Sequence, residues 1–264
     1  MTAESATMVG LEQVSKSYNA SGLSVVQEVT LQIGTGELLV LVGESGCGKT
    51  TTLKMINRLV EPSGGRVFVD GKDVTATNPI ELRRSIGYVF QGIGLFPHMT
   101  VAENVGIVPK LLGWESAAIA NRVNGLMEMM GLPPAEYRQR RPAELSGGQQ
   151  QRIGVARALA GRPKVLLMDE PFGALDPVTR DGLQREFKSL QQSSGITVVM
   201  VTHDMTEALI LADRIAVMQR GRLLQVGTPQ ELLTHPKDAH VTALLEMPRR
   251  QAASLEAILK ARQS

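Results

Sequence analysis

Apolar positions change their spacing several times along this chain, and each change marks a different kind of element. From Val25 to Ile33 apolar and polar residues alternate, the pattern of a strand with one buried face. Arg66 to Val74, RVFVDGKDV, has the same character on either side of Asp70-Gly71, a dipeptide suited to a hairpin turn. These two segments predict an antiparallel layer. Between them Leu38 to Val42 is apolar without interruption, as a strand covered on both faces requires. Leu53, Ile56, Leu59 and Val60 then recur at helical spacing, and Pro62-Ser63-Gly64-Gly65 predicts the end of that helix.

From Gly92 to Gly161 the spacing is helical, with breaks at Gly113 and at Gly131-Leu132-Pro133-Pro134, which predicts a helical subdomain inserted into a sheet domain. Ser85 to Phe90, Val165 to Met168 and Ile196 to Val201 are further apolar runs, the last two separated by a polar helical pattern over Asp176 to Gln192. Strands alternating with helices predict a parallel sheet. Thr228-Pro229-Gln230-Glu231 reads as a capping box that opens a short helix, and a final helix is expected beyond His240. The expected fold is α/β, with a mostly parallel core sheet, an N-terminal antiparallel β layer and a helical insertion over 92–161. The main domain is expected over 8–240, followed by a helical tail over 241–264.

A chain of 264 residues is long enough to bury the core of such a domain. The net charge of +2 and an aromatic content of 3% supply neither a basic footprint nor stacking platforms, so no nucleic-acid partner is expected. No apolar run approaches the roughly 20 residues of a membrane-spanning helix. MTAESATMVG lacks the basic and apolar regions of a signal peptide, and the chain is expected to stay in the cytoplasm. The single cysteine, Cys47, excludes an internal disulfide and is expected to contribute its backbone rather than its thiol.

The strand Leu38 to Val42 feeds into Gly43-Glu44-Ser45-Gly46-Cys47-Gly48-Lys49-Thr50, with Thr51 next. Glycines at this spacing turn backbone N–H groups inward around a β-phosphate, Lys49 brings a positive charge to the β- and γ-oxygens, and the Thr50 hydroxyl is a ligand for Mg²⁺. A second Gly-rich turn, Leu145-Ser146-Gly147-Gly148-Gln149, opens another helix and offers further donors for a γ-phosphate. One chain carries one of each turn. If the second cannot fold back onto the first, a full site needs two copies.

Other candidates stand at strand ends, where ligands of open α/β sheets bind. Asp169 is expected to orient Mg²⁺ and Glu170 to polarise the attacking water. His203 follows the run Ile196 to Val201 and is expected to face the γ-phosphate. Gln91 follows the Ser85 to Phe90 run at the start of the helical insertion, where phosphate contact and movement of the insertion can be coupled. Tyr18 is a candidate to stack on an adenine ring.

Taken together these residues resemble the nucleotide-binding subunits of ATP-binding cassette transporters, over Leu11 to Leu233. GESGCGKT is similar to the Walker A loop, VLLMDE to Walker B, LSGGQ to the family signature and Gln91 to the Q-loop. Ala174-Leu175-Asp176 is similar to the D-loop, His203 to the switch histidine and Tyr18 to the A-loop aromatic. The resemblance implies a fold of the phosphate-loop NTPase type, an ATPase using Mg²⁺ held by Thr50, Gln91 and Asp169, and catalysis by Glu170, His203 and Gln91. It further implies a head-to-tail homodimer in which Ser146, Gly147, Gly148, Gln149 and Asp176 of the partner complete each site. Transmembrane permease subunits and an extracytoplasmic solute-binding protein are the other implied partners, which places the chain at the cytoplasmic face of the membrane.

FQGIGLFPHMTVAENVGIVPKLLGW, from Phe90 to Trp114, and TTLKMINRLVEPSGG resemble the importer branch for glycine betaine, choline and carnitine. Some of Ile93, Leu95, Phe96 and Met99 are expected in the core, and others in a groove for a permease helix. Many members of that branch carry two CBS domains after the ATPase. This chain, stopping at Ser264, looks too short for them, so control through such domains is not expected. Importers of amino acids, polyamines or sugars are the alternative. An exporter subunit is disfavoured by LFPHMTV and by the lack of a fused membrane domain, a DNA-repair clamp by the short spacing between the two turns, a translation ATPase by the single cassette and a small-molecule kinase by LSGGQ.

Overall fold

Strands that are apolar on both faces need cover on both, and this requirement organises the computed structural model, which describes residues 6–18, 24–92, 94–173 and 175–261. The chain begins with β1 (Thr7–Ser17), β2 (Ser24–Gly34) and β3 (Leu38–Val42), then α1 (Lys49–Ile56), the hairpin β4 (Gly64–Val69) and β5 (Lys72–Asp73), α2 (Pro79–Ser85) and β6 (Ile86–Val89). Helices α3 (Val101–Leu111), α4 (Ser116–Met129), α5 (Pro134–Tyr137) and α6 (Gly147–Ala160) follow without a strand between them. Then come β7 (Val165–Asp169), α7 (Pro177–Ser194), β8 (Thr197–Thr202), α8 (Met205–Leu211), the hairpin β9 (Arg214–Gln219) and β10 (Arg222–Gly227), α9 (Pro229–Thr234) and α10 (Ala239–Ala261).

One sheet has the order β2-β1-β4-β5 with antiparallel pairs; the other has the order β10-β9-β3-β8-β7-β6, parallel except for β10. Alternate residues of β3 serve two cores. Leu38, Val40 and Val42 join the core beneath the helical part and α7 and α8. Leu39 and Leu41 join the core shared with α1 and the antiparallel sheet. β7 and β8 divide in the same way, so the mainly parallel sheet is the wall between both cores.

The first helix is shorter than its apolar spacing predicts. It ends at Ile56, and Arg58 turns the chain with φ 55°. The Arg58 guanidinium donates to the Thr77 carbonyl at 3.0 Å, while Arg83 donates to the Arg58 carbonyl at 2.6 Å, and these bonds hold the turn. Leu59 is thereby left 45% exposed instead of packing with Leu53. β1, α2, α8, β9 and β10 have no counterpart in the pattern described above. In β1 the register shifts between Leu11 and Val14, around Gln13 with φ 48°, which interrupts the two-residue alternation. The capping box at Thr228 is present, with Thr228 Oγ accepting from Glu231 N–H at 3.2 Å and Glu231 Oε2 from Thr228 N–H at 2.8 Å.

Candidate functional site

Parallel pairing brings four strand ends to one edge: Val42 pairs with Thr202, Asp169 with Val201 and Val89 with Met168. The phosphate loop leaves β3, Asp169 and Glu170 end β7, His203 follows β8 and Gln91 follows β6 by two residues. Chemistry scattered along the chain is thus gathered by register alone.

The loop is built around Lys49, which is 5% exposed and donates to the carbonyls of Gly43 at 2.6 Å and Glu44 at 2.8 Å. Two glycines are required sterically. A Cβ at Gly48, where φ is 107°, would stand 2.5 Å from the Val25 carbonyl oxygen, and one at Gly43 would stand 2.2 Å from that of Met218. Glu44, Ser45 and Gly46 are exposed along the loop, Cys47 is buried, and Thr50 and Thr51 are half-buried in the first turn of α1. Burial pushes the Cys47 thiol up from its ordinary value, against the opposing charge of Lys49, so the thiol stays protonated.

Thr50 Oγ1 donates to Asp169 Oδ1 at 2.8 Å. Burial raises the Asp169 carboxyl, which is 3% exposed, while the Thr50 bond and the charges of Lys54 and Lys49 oppose that rise. A hydroxyl beside one carboxylate is a hard oxygen pair suited to Mg²⁺, which takes few protein ligands and leaves the rest to phosphate and water. Burial raises the pKa of the Tyr88 hydroxyl, and the neighbouring Asp169 carboxylate raises it further through its charge and hydrogen bonding, so the hydroxyl stays protonated.

Glu170 adopts φ 46°, a left-handed conformation that costs a non-glycine residue of order 1–3 kcal/mol. Its N–H donates to the Val201 carbonyl at 2.9 Å, which fixes the turn out of β7. Gln91 Nε2 donates to one carboxylate oxygen at 3.3 Å, and His203 Nδ1 lies 3.4 Å from the other. The carboxylate is held between an amide and an imidazole at the open edge.

The signature turn lies elsewhere. Ser146 is the N-cap of α6, accepting from Gln149 N–H at 3.3 Å while Gln149 Oε1 accepts from Ser146 N–H at 2.9 Å. Ser146 and Gly147 are exposed and Gly148 and Gln149 half-buried. All four line one depression of about 410 Å³ together with Asp176 and Thr179. Asp176 caps α7 by accepting from Thr179 N–H at 3.0 Å; Ala174 lies outside the described residues. No residue of the phosphate loop lines that depression, and no hydrogen bond joins the two turns among the described residues.

Tyr18, at the end of β1, is 57% exposed with the Lys16 ammonium 5.1 Å from its ring centroid. Of the groove candidates, Phe96 is exposed and lines a cavity of about 490 Å³ with Leu59, Phe90, Val108 and Leu111, whereas Leu95 packs on the core and Met99 is half-buried. Ile93 lies outside the described residues. Two features escaped the sequence reading. Leu59 joins the groove because α1 stops early, and His240, at the start of α10, places Nδ1 3.9 Å from Glu44 Oε1 of the phosphate loop. The first has a local cause in Arg58; the second has no local signal.

A mostly parallel α/β sheet with a phosphate loop at its carboxyl edge, joined to an antiparallel layer and a helical part bearing a second Gly-rich turn, defines a nucleotide-binding cassette. The family model described as ABC transporter matches residues 26–173, and the chain belongs to the ABC transporter family. It is 56% identical to the glycine betaine/carnitine/choline transport ATP-binding protein OpuCA of Bacillus subtilis (strain 168), over 89% of this chain and 61% of that protein. It is 49% identical to the glycine betaine uptake system ATP-binding protein YehX of Escherichia coli (strain K12), over 89% of this chain and 75% of that one. Among solved structures, the dimeric post-hydrolysis state of the ATP-binding cassette MJ0796 bound to ADP and Pi matches with a TM-score of 0.76 and 34% identity, covering 84% of this chain and 99% of that one. This chain therefore spans 61% of the Bacillus relative's length. No helix among the described residues is long and apolar enough to cross a membrane.

Proposed function

We propose that this chain is the ATP-hydrolysing subunit of an importer, energising uptake of a quaternary-amine osmoprotectant such as glycine betaine, choline or carnitine. The observation that carries the ATPase reading is the separation of the two Gly-rich turns onto different surfaces, with Glu170 poised at the edge of only one. Two copies arranged head to tail place Ser146, Gly147, Gly148, Gln149 and Asp176 of each against the phosphate loop of the other. ATP at that junction holds the copies together, and its hydrolysis releases them. The quaternary-amine reading is supported by the relatives named above.

In this mechanism the phosphate loop and Lys49 hold the triphosphate, and Tyr18 stacks on the base. Thr50, Gln91 and Asp169 would hold Mg²⁺, which would supply positive charge to offset that of the triphosphate. Glu170 accepts a hydrogen bond from the attacking water and orients it, and His203 donates toward the γ-phosphate. Gln91 leads into the loop over Phe96, so its contact with Glu170 ties the site to the groove. The apolar groove receives a cytoplasmic helix of the permease, which in turn meets an extracytoplasmic solute-binding protein. The chain works at the cytoplasmic face of the membrane, held there by the permease.

The test is uptake of labelled glycine betaine, choline and carnitine in salt-stressed cells lacking the gene, restored with the wild-type chain or with Glu170→Gln. Uptake restored by wild type alone is expected. Uptake that never depends on the gene would overturn the substrate, and equal restoration by Glu170→Gln would overturn the role of Glu170.

A further inference from the structure

Two side chains of α7 reach the start of α8. Arg180 Nη2 donates to the Leu175 carbonyl at 3.1 Å, and Arg180 Nη1 stands 3.8 Å from Asp204 Oδ2. One turn along α7, Gln184 Nε2 donates to Glu207 Oε1 at 2.8 Å, with both residues buried. Arg180 and Gln184 are four residues apart, and Asp204 and Glu207 three, so each pair occupies one face of its helix. Asp204 is also the N-cap of α8, its Oδ1 accepting from Thr206 N–H at 2.8 Å and Glu207 N–H at 3.2 Å, which leaves Oδ2 for Arg180. His203 immediately precedes Asp204, and Leu175 immediately precedes Asp176. Arg180 therefore stands one residue from both the partner-facing turn and the switch loop.

The charged contact in this arrangement adds little stability. The Arg180–Asp204 pair is about a third exposed on each side and too long for a strong bond. Arg180 Nε is buried without an acceptor among the described residues, a costly state for a donor. Burial raises the Glu207 carboxyl, opposed by hydrogen bonding from Thr202 and Gln184, so that acid too is kept at a cost. What these contacts do is fix the distance between two loops.

We propose that Arg180 and Gln184 are positioning residues that tie the turn at Leu175-Asp176 to the loop bearing His203, so that docking of a second copy sets His203 in place. The proposal rests on the two-copy ATPase reading. Closure presses on Asp176 at one end of the linkage, and His203 moves at the other.

The test uses the full chain carrying Arg180→Met, Asp204→Asn or both; asparagine preserves the α8 cap. Each single variant is expected to lower kcat about tenfold while KM for ATP changes less than about twofold. The double variant is expected to lose no more than the worse single one, because both cut one linkage. In a Glu170→Gln background, amide hydrogen exchange over 203–208 slows when ATP is added, and Arg180→Met abolishes that slowing while ATP-driven dimerisation persists. Unchanged kcat, losses that multiply in the double variant, or slowing that survives Arg180→Met would each overturn the linkage. Should Arg180→Met not fold, Asp204→Asn carries the kcat and exchange readouts alone. If Glu170→Gln itself fails to dimerise with ATP, it is the underlying two-copy reading that falls.

Discussion

Ser146 allows the structural and functional roles of the signature turn to be separated by two substitutions at one position. Its hydroxyl accepts from Gln149 N–H at 3.3 Å, while the return bond from Ser146 N–H to Gln149 Oε1, at 2.9 Å, uses the backbone and survives any side-chain change. Ser146→Ala removes one of these two bonds and should cost about 1 kcal/mol, the usual worth of an N-cap hydroxyl. In a chain of this size that lowers Tm by roughly 2–4 °C. Ser146→Asp restores a cap of similar strength and places its charge favourably at the helix N-terminus, so the nucleotide-free chain should melt close to wild type. In a dimer, however, that carboxylate meets the partner's triphosphate. Each such like-charge contact at about 4 Å and an effective dielectric constant near 20 costs about 4 kcal/mol, and the symmetric dimer makes two of them, so association falls by more than about a thousandfold. Calorimetry without nucleotide, followed by sedimentation velocity with ATP in a Glu170→Gln background, reads both effects. The expected order is alanine lower in Tm yet still associating, and aspartate normal in Tm yet monomeric. Aspartate associating like its parent would mean that Ser146 does not face the partner's triphosphate, and aspartate melting as low as alanine would mean that the hydroxyl does not act as a cap.

Phe172, fully buried with its ring edge-on to Phe187 at 6.1 Å, should cost about 3–5 kcal/mol when replaced by alanine, read from urea unfolding; a loss below about 1 kcal/mol would contradict its place in the core. Gly48→Ala sets a Cβ 2.5 Å from the Val25 carbonyl at a φ of 107°, so ATP affinity by calorimetric titration should fall at least about tenfold, and an unchanged affinity would sink the steric argument. Glu103 and Glu231, in capping boxes, are held below the ordinary glutamate value of 4.5 by hydrogen bonds from Thr100 and Thr228. A depressed folded value means stability present above 4.5 and lost as the pH falls through the folded values. The slope of stability against pH below 4.5 should therefore flatten in the Glu103→Gln/Glu231→Gln double variant, followed by urea unfolding at each pH, and an unaltered slope would contradict the assignment.

Burial on both faces made β3, β7 and β8 legible, since an uninterrupted apolar run bounded by glycine or carboxylates has few other readings. The capping box at Thr228 was legible because caps are local chemistry. β1 was not, because a residue at positive φ in mid-strand breaks the alternation that would have revealed it. Leu59 misled for a related reason: helical spacing continued past the point where Arg58 and Arg83 turn the chain. At the site, residue types and their strand-end positions were readable in the chain itself. The gathering of Gln91, Glu170 and His203 around one carboxylate depends on the pairing of β6, β7 and β8, which no local pattern encodes. The approach of His240 to Glu44, and of Arg180 to Asp204, is likewise set by long-range packing.

One chain holds half of each catalytic site in the proposed mechanism. Native mass spectrometry of Glu170→Gln, with and without ATP, weighs the protein and its bound nucleotide together and so counts the chains in each site. The expected result is a single chain without ATP and, with ATP, two chains carrying two nucleotides. A single chain that binds ATP and remains alone at every concentration would contradict it.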